Sequence, residues 1–150
     1  MISRRNRFGP ALARTVGVCA CLTLIACDDT TGVNYTRRPG QLRYFDLRDN
    51  VTVPDTVDRG VPFNVKIATY GDGCAQLGDT PVSMTAQVIT VAPHDIFAGG
   101  RNVACPDVLR SLEHIASISV STPGAVTIRI RGRDYPVDST FVIERRLVVR

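Results

Sequence analysis

Ala125–Arg131 reads AVTIRIR, and in it Val126, Ile128 and Ile130 alternate with Thr127, Arg129 and Arg131. Strict alternation at period two places the aliphatic side chains on one face of an extended chain and the polar ones on the other, which is the signature of a half-buried strand. Pro123-Gly124 marks a turn just before it. On the far side of that turn, 115–121 (IASISVS) offers Ile118 and Val120 inward, so 115–121 and 125–131 are expected to pair as a hairpin.

The same period recurs further out. In 62–70 (PFNVKIATY), Phe63, Val65 and Ile67 share a face opposite Asn64 and Lys66. In 82–92, Val82, Met84, Ala86 and Val88 form the expected inner face, with Ile89 and Val91 burying both faces near its end. In 139–149, Phe141, Ile143, Leu147 and Val149 are interrupted by Arg145 on their own face, which predicts a bulge or an edge position. Residues 42–53 read as a first strand pair or one bent strand closed by Pro54, and Asp58-Arg59-Gly60 as a turn. One short helix is expected over 106–113, with Pro106 at its first position, Asp107 in the first turn, and Val108, Leu109 and Leu112 facing the core.

The chain has 150 residues, of which 44% are hydrophobic, 6% aromatic and 21% charged. That suits one domain and is too apolar for a disordered chain. No apolar run approaches the ~18 residues of a membrane-spanning helix. Twelve Gly, nine Pro and no Trp fit a turn-rich β protein. About seven strands in 41–150 imply an all-β fold, an antiparallel sandwich. At the level of architecture this pattern resembles the immunoglobulin-like modules of bacterial envelope proteins, although the absence of Trp removes the Cys–Trp–Cys core pattern. A small β-barrel is the alternative.

The N-terminus carries a second message. Residues 1–14 are basic through Arg4, Arg5, Arg7 and Arg14, and 15–26 (TVGVCACLTLIA) form an apolar run of secretory-signal length. The run ends at Leu24-Ile25-Ala26-Cys27, which resembles the lipobox of bacterial lipoproteins. The resemblance implies a signal peptide over 1–26, removal of that leader, and lipidation of Cys27 as the mature N-terminus. Membrane lipid is then the first partner. Each buried CH₂ contributes roughly 0.8 kcal/mol, so several acyl chains hold firmly where one holds weakly. Residues 28–40 (DDTTGVNYTRRPG) are polar and without periodicity, so 27–40 is expected to be a flexible tether and 41–150 the folded body. The expected location is the cell envelope, on the periplasmic or surface side, with the choice of membrane open.

Export settles the charge and the cysteines. The net charge of +4 vanishes once the leader's four arginines are set aside, because 14 basic residues then face 14 acidic ones, and no nucleic-acid partner is expected. Cys19 and Cys21 leave with the leader and Cys27 takes lipid. Cys74 and Cys105 remain for a disulfide in an oxidising compartment. In the chain-entropy picture such a loop of about 30 residues is worth roughly 3.5 kcal/mol.

Groups that could carry chemistry are sparse. His94-Asp95 and Glu113-His114 are the His-containing clusters, and two histidines with carboxylates could bind zinc. They stand 20 residues apart with neither HExxH nor HxH spacing, so no metal is expected, with His94 and His114 the candidates. No serine lies in a GxSxG elbow and no free cysteine remains as a nucleophile. Gly71-Asp72-Gly73 with Asp79 reads as turn material, and Gly99-Gly100-Arg101 as a loop tip. Tyr35, Tyr44, Tyr70 and Tyr135 are candidate sugar contacts scattered through the chain, and Arg129, Arg131 and Arg133 form a solvated basic stripe. The expected function is that of a noncatalytic, lipid-anchored module that binds or scaffolds an envelope protein or ligand, without cofactor. The alternative is a ligand- or metal-binding accessory protein that uses loop 93–114.

Overall fold

Twelve strands and no helix form among the residues described by the computed structural model, 32–44 and 51–150. The leader, Cys27, the tether up to residue 31 and the 45–50 stretch of the first expected strand lie outside those residues. The strands are β1 (Asn34–Pro39), β2 (Gln41–Tyr44), β3 (Val51–Thr52), β4 (Thr56–Val57), β5 (Phe63–Gly71) and β6 (Ala75–Leu77). They continue with β7 (Val82–Thr85), β8 (Val88–Val91), β9 (His94–Gly99), β10 (Arg110–Ile118), β11 (Gly124–Tyr135) and β12 (Thr140–Val149).

The large sheet has nine strands, in the order β10-β5-β2-β11-β12-β4, with β3 beside β5, β8 beside β11 and β7 beside β8. A small sheet runs β1-β9-β6. The alternation in AVTIRIR is realised as read: Val126, Ile128 and Ile130 are buried, at 6%, 0% and 0% exposure. They share one core with Val65 and Ile67 of β5, Ala116 and Ile118 of β10, Ile89 and Val91 of β8, and Ile143 and Leu147 of β12. Strands far apart in the sheet order can meet in one core only if the sheet curls over, so it forms half a barrel with the aliphatics inside. This curled sheet lies between the expected sandwich and its barrel alternative.

The all-β class holds, and several local expectations change. The large sheet is mixed, because β11 runs parallel to both β2 and β8, and β12 parallel to β4. The helix expected over 106–113 is absent. Arg110–Ile118 is instead a strand, paired with β5 over nine positions, and Val108 and Leu109 are exposed. Leu112, His114, Ala116 and Ile118 alternate inward, a period-two set that outweighs the short helical pattern. The 115–121 to 125–131 hairpin does not form either: β10 pairs with β5 and β11 with β12, so 119–123 connects strands that stand three places apart in the order of the large sheet.

The tether reading of 27–40 is corrected at 34–39, which form β1, paired with β9 over six positions. All six β1 side chains are exposed, so the strand stands on backbone hydrogen bonds and surface contacts and leaves no apolar period in the sequence. The 82–92 segment breaks into the β7–β8 hairpin at Ala86 (φ 51°). Val82 and Met84 are exposed there, and Ile89 and Val91 carry the burial. Arg145 sits in unbroken register opposite Ile128, and β12 beyond it pairs with β4 only at Val148 and Val149. The edge expectation therefore holds, without a bulge.

Ile128→Ala is expected to lower stability by about 2–5 kcal/mol in urea titration, because it empties a site in the shared core. Val148→Ala, on the outer face, is expected to change it by about 0.5 kcal/mol or less.

Candidate binding site at the sheet junction

Residues 34–44 run through both sheets, as β1 in the small one and β2 in the large one, and change sheets at Gly40. A Cβ at Gly40 would lie 2.4 Å from Thr69 Cγ2 and 3.3 Å from Asp95 Oδ2, so only glycine lets the chain pass there. Gly40 N donates to Pro93 O at 2.8 Å, and Arg133 N donates to Gly40 O at 2.9 Å. The crossing is thereby tied to both sheets.

Beneath it lies a buried polar cluster. His114 of β10 and Asp95 of β9 are 1% and 0% exposed, with Nε2 and Oδ1 2.9 Å apart. Thr69 of β5 donates to the same carboxylate oxygen at 3.0 Å, and the Thr80 hydroxyl lies 2.8 Å from His114 Nδ1. These partners assign the tautomer: Nε2–H donates to Asp95, and Nδ1 accepts from Thr80. Asp95 Oδ2 is buried without a hydrogen-bond partner among the described residues. Thr80, His114 and Asp95 stand in the order of a hydroxyl–imidazole–carboxylate relay, but Thr80 lines neither of the two cavities described below. The geometry is that of a clasp between the sheets.

An outer clasp lies nearby. Arg37 of β1 holds Asp79 through two hydrogen bonds of 2.7 and 2.8 Å. The guanidinium keeps the Asp79 carboxyl well below its ordinary value of 3.8, at about 2.

At one end of the junction opens a cavity of about 420 Å³. β2 lies between β5 and β11, and its register against β11 shifts between Arg133 and Asp134. Gln41 opposes Arg133, while Arg43 and Tyr44 oppose Asp134 and Tyr135; shifts of this kind re-aim side chains. Tyr44 stacks on Tyr135, with centroids 4.7 Å apart and planes at 18°, and also lies near Tyr70, at 6.2 Å. The three rings run from the interior, where Tyr70 is 5% exposed, to the rim, where Tyr135 is 39% exposed. Burial raises the Tyr70 hydroxyl above its ordinary pKa.

Tyr44 and Tyr135 line the cavity, with Gln41, Arg38 and Phe97 beside them. The Arg38 guanidinium lies 5.6 Å above the Phe97 ring. Two ion pairs consume much of the local charge. Arg43 grips Asp134 bidentately and covers the Phe141 ring at 4.5 Å, and Arg133 pairs with Asp138. The Arg43 hydrogen bonds hold the Asp134 carboxyl below its ordinary pKa.

Asp107, Val108 and Leu109 also line the cavity. That segment is pinned by the Cys74–Cys105 disulfide (S–S 2.08 Å), by Gly73 N donating to Pro106 O, and by Arg110 donating to Ala75 O. The bridge expected from the cysteine arithmetic thus fixes one wall of the cavity.

The two histidines separate in role. The stretch 93–114, expected as a loop, contains β9 and the start of β10. His114 belongs to the buried clasp. The His94 Nδ1–H donates to Ala92 O at 2.7 Å, and His94 lines a second cavity of about 540 Å³ beside Pro81, Val82 and Arg131. Neither joins a cluster of three metal-ligating groups among the described residues. Asp72, Cys74 and Cys105 do cluster, but both sulfurs are committed to the bridge. Of the four scattered tyrosines, the fold gathers Tyr44, Tyr70 and Tyr135. Tyr35 stays exposed on β1.

No known protein family, curated protein or solved structure matches the chain. No helix among the described residues is long and apolar enough to cross a membrane.

His114→Ala is expected to cost about 1.5–3 kcal/mol in chemical denaturation, since it removes one of the two hydrogen bonds that Asp95 Oδ1 accepts. Asp79 acts in the acid range. Its folded pKa is depressed, so its stabilising effect is complete above 3.8 and disappears as the pH falls towards about 2. The protection of the β1 amides against hydrogen exchange, taken relative to their intrinsic rates, is expected to fall over that window, and Asp79→Asn to remove that pH dependence while leaving β1 less protected at neutral pH.

Proposed function

We propose that this chain is an exported protein, anchored to a membrane by lipid on Cys27, whose β body is a noncatalytic binding module that uses the tyrosine-walled cavity as its binding face. The leader and its Leu24-Ile25-Ala26-Cys27 ending support the anchoring, by their resemblance to lipoprotein signals. One observation carries the binding role: Tyr44, Tyr70 and Tyr135, far apart in sequence, converge beside a cavity whose wall is braced by a disulfide. A concave site with aromatic lining and a few polar groups on a rigid frame is what recognition of a ligand requires. The stacked rings supply contact area at low entropic cost, and the disulfide preorganises the Asp107–Leu109 wall.

Two measurements test the proposal. Cys27→Ala is expected to abolish labelling by radioactive palmitate and to shift the protein into the soluble fraction or leave it unprocessed. A processed Cys27→Ala protein that stays in the membrane would count against the anchor. A photo-crosslinking residue at position 135, in intact cells, is expected to capture envelope material that the same residue at position 148 does not. Equal capture at both positions, or none at 135, would remove the binding face.

A further inference from the structure

We propose that the tyrosine-walled cavity takes a neutral saccharide. The inference rests on reading that cavity as the binding face and names the class of ligand it fits. At about 420 Å³ the cavity falls in the range of small-ligand clefts, roughly 300–1,000 Å³.

The chemistry of its free groups narrows the class. Asp134 and Arg133 are already paired with Arg43 and Asp138. Among the described residues, the side chains of Asp107 and Gln41 make no hydrogen bond or ion pair, and that of Arg38 makes only its ring contact with Phe97. Asp72 keeps one carboxylate oxygen after accepting from Cys74 N. The free groups are therefore donors from Arg38, donors and an acceptor from Gln41, and acceptors from the two carboxylates. All of them line the same cavity as Tyr44 and Tyr135.

An anion would meet two carboxylates against one guanidinium. A compact cation would meet that guanidinium, and an apolar ligand would strand every one of these polar groups. Hydroxyl groups both donate and accept, so a polyol satisfies the mixed set without importing charge. A pyranose also presents a face of C–H bonds, which seats on the electron-rich face of Tyr135. The ring is positioned for this by its stack on Tyr44, which holds it from behind.

The test is isothermal titration of the full-length protein in detergent micelles. The neutral probes are cellotetraose, maltotetraose and a tetramer of N-acetylglucosamine, with tetramethylammonium and a sulfated disaccharide as cationic and anionic controls. At least one neutral probe is expected to bind. Tyr135→Ala should weaken that binding by about tenfold while Tyr135→Phe retains it. Asp107→Ala, at an exposed side chain that makes no hydrogen bond or ion pair to another described residue, should also weaken it and leave the thermal midpoint unchanged. No neutral probe binding, or binding indifferent to both the Tyr135→Ala and Asp107→Ala changes, would overturn the saccharide assignment. Binding of a control alone, lost in Tyr135→Ala, would overturn it too and leave the binding face in place. Loss of the position-135 crosslink would instead remove the face itself.

Discussion

The contact between Asp95 and His114 joins the large sheet to a small sheet that contributes no side chain to the shared hydrophobic core. β9 belongs to the small sheet and β10 to the edge of the large one, and the two meet through a carboxylate and an imidazole that are both out of solvent. Thr69 adds a second hydrogen bond to Asp95 Oδ1 and Thr80 one to His114 Nδ1, while Asp95 Oδ2 is buried without a partner among the described residues. Such an arrangement adds little stability compared with a well-packed apolar substitute, but it demands one geometry. The Gly40 crossing is fitted against it, with no room for a side chain between Thr69 and Asp95.

That fixed junction sets the shape of the cavity. Arg38 and Phe97 come from the small sheet, while Gln41, Tyr44 and Tyr135 come from the large one. Any slip between the sheets would separate the aromatic wall from the guanidinium that faces it. The disulfide performs the equivalent task for the third wall, holding Asp107–Leu109 against the turn at Gly71–Ala75. The shape of the cavity and the joining of the sheets thus depend on the same few residues.

Much of the large sheet was legible because its strands are amphipathic. AVTIRIR and the Phe63–Ile67 stretch announced their inner faces, and the structure buries Val126, Ile128, Ile130, Val65 and Ile67. Pairing partners were less legible. Adjacent strands separated by a Pro-Gly turn read as a hairpin, whereas β10 is separated from β11 by β5 and β2, because β5 offers β10 a nine-residue partner. β1 was invisible, since a strand with six exposed side chains has no hydrophobic period to detect. The candidate site was less legible still. Cys74 and Cys105 could be paired by counting, but Tyr44, Tyr70 and Tyr135 meet only through the β5-β2-β11 order and a register shift that no local pattern encodes. His114 gave a partial signal, standing two residues from Leu112 and Ala116 on one strand face, which marks an inward residue rather than an exposed ligand.

Long-range nitrogen–proton NMR of the His114 ring examines the sheet junction most directly. A single slowly exchanging Nε2–H, with Nδ1 unprotonated and nuclear Overhauser contacts to the methyl groups of Thr69 and Thr80, is the expected result. A ring N–H that exchanges with water as fast as free imidazole, without those methyl contacts, would show that the two sheets are not joined in this way.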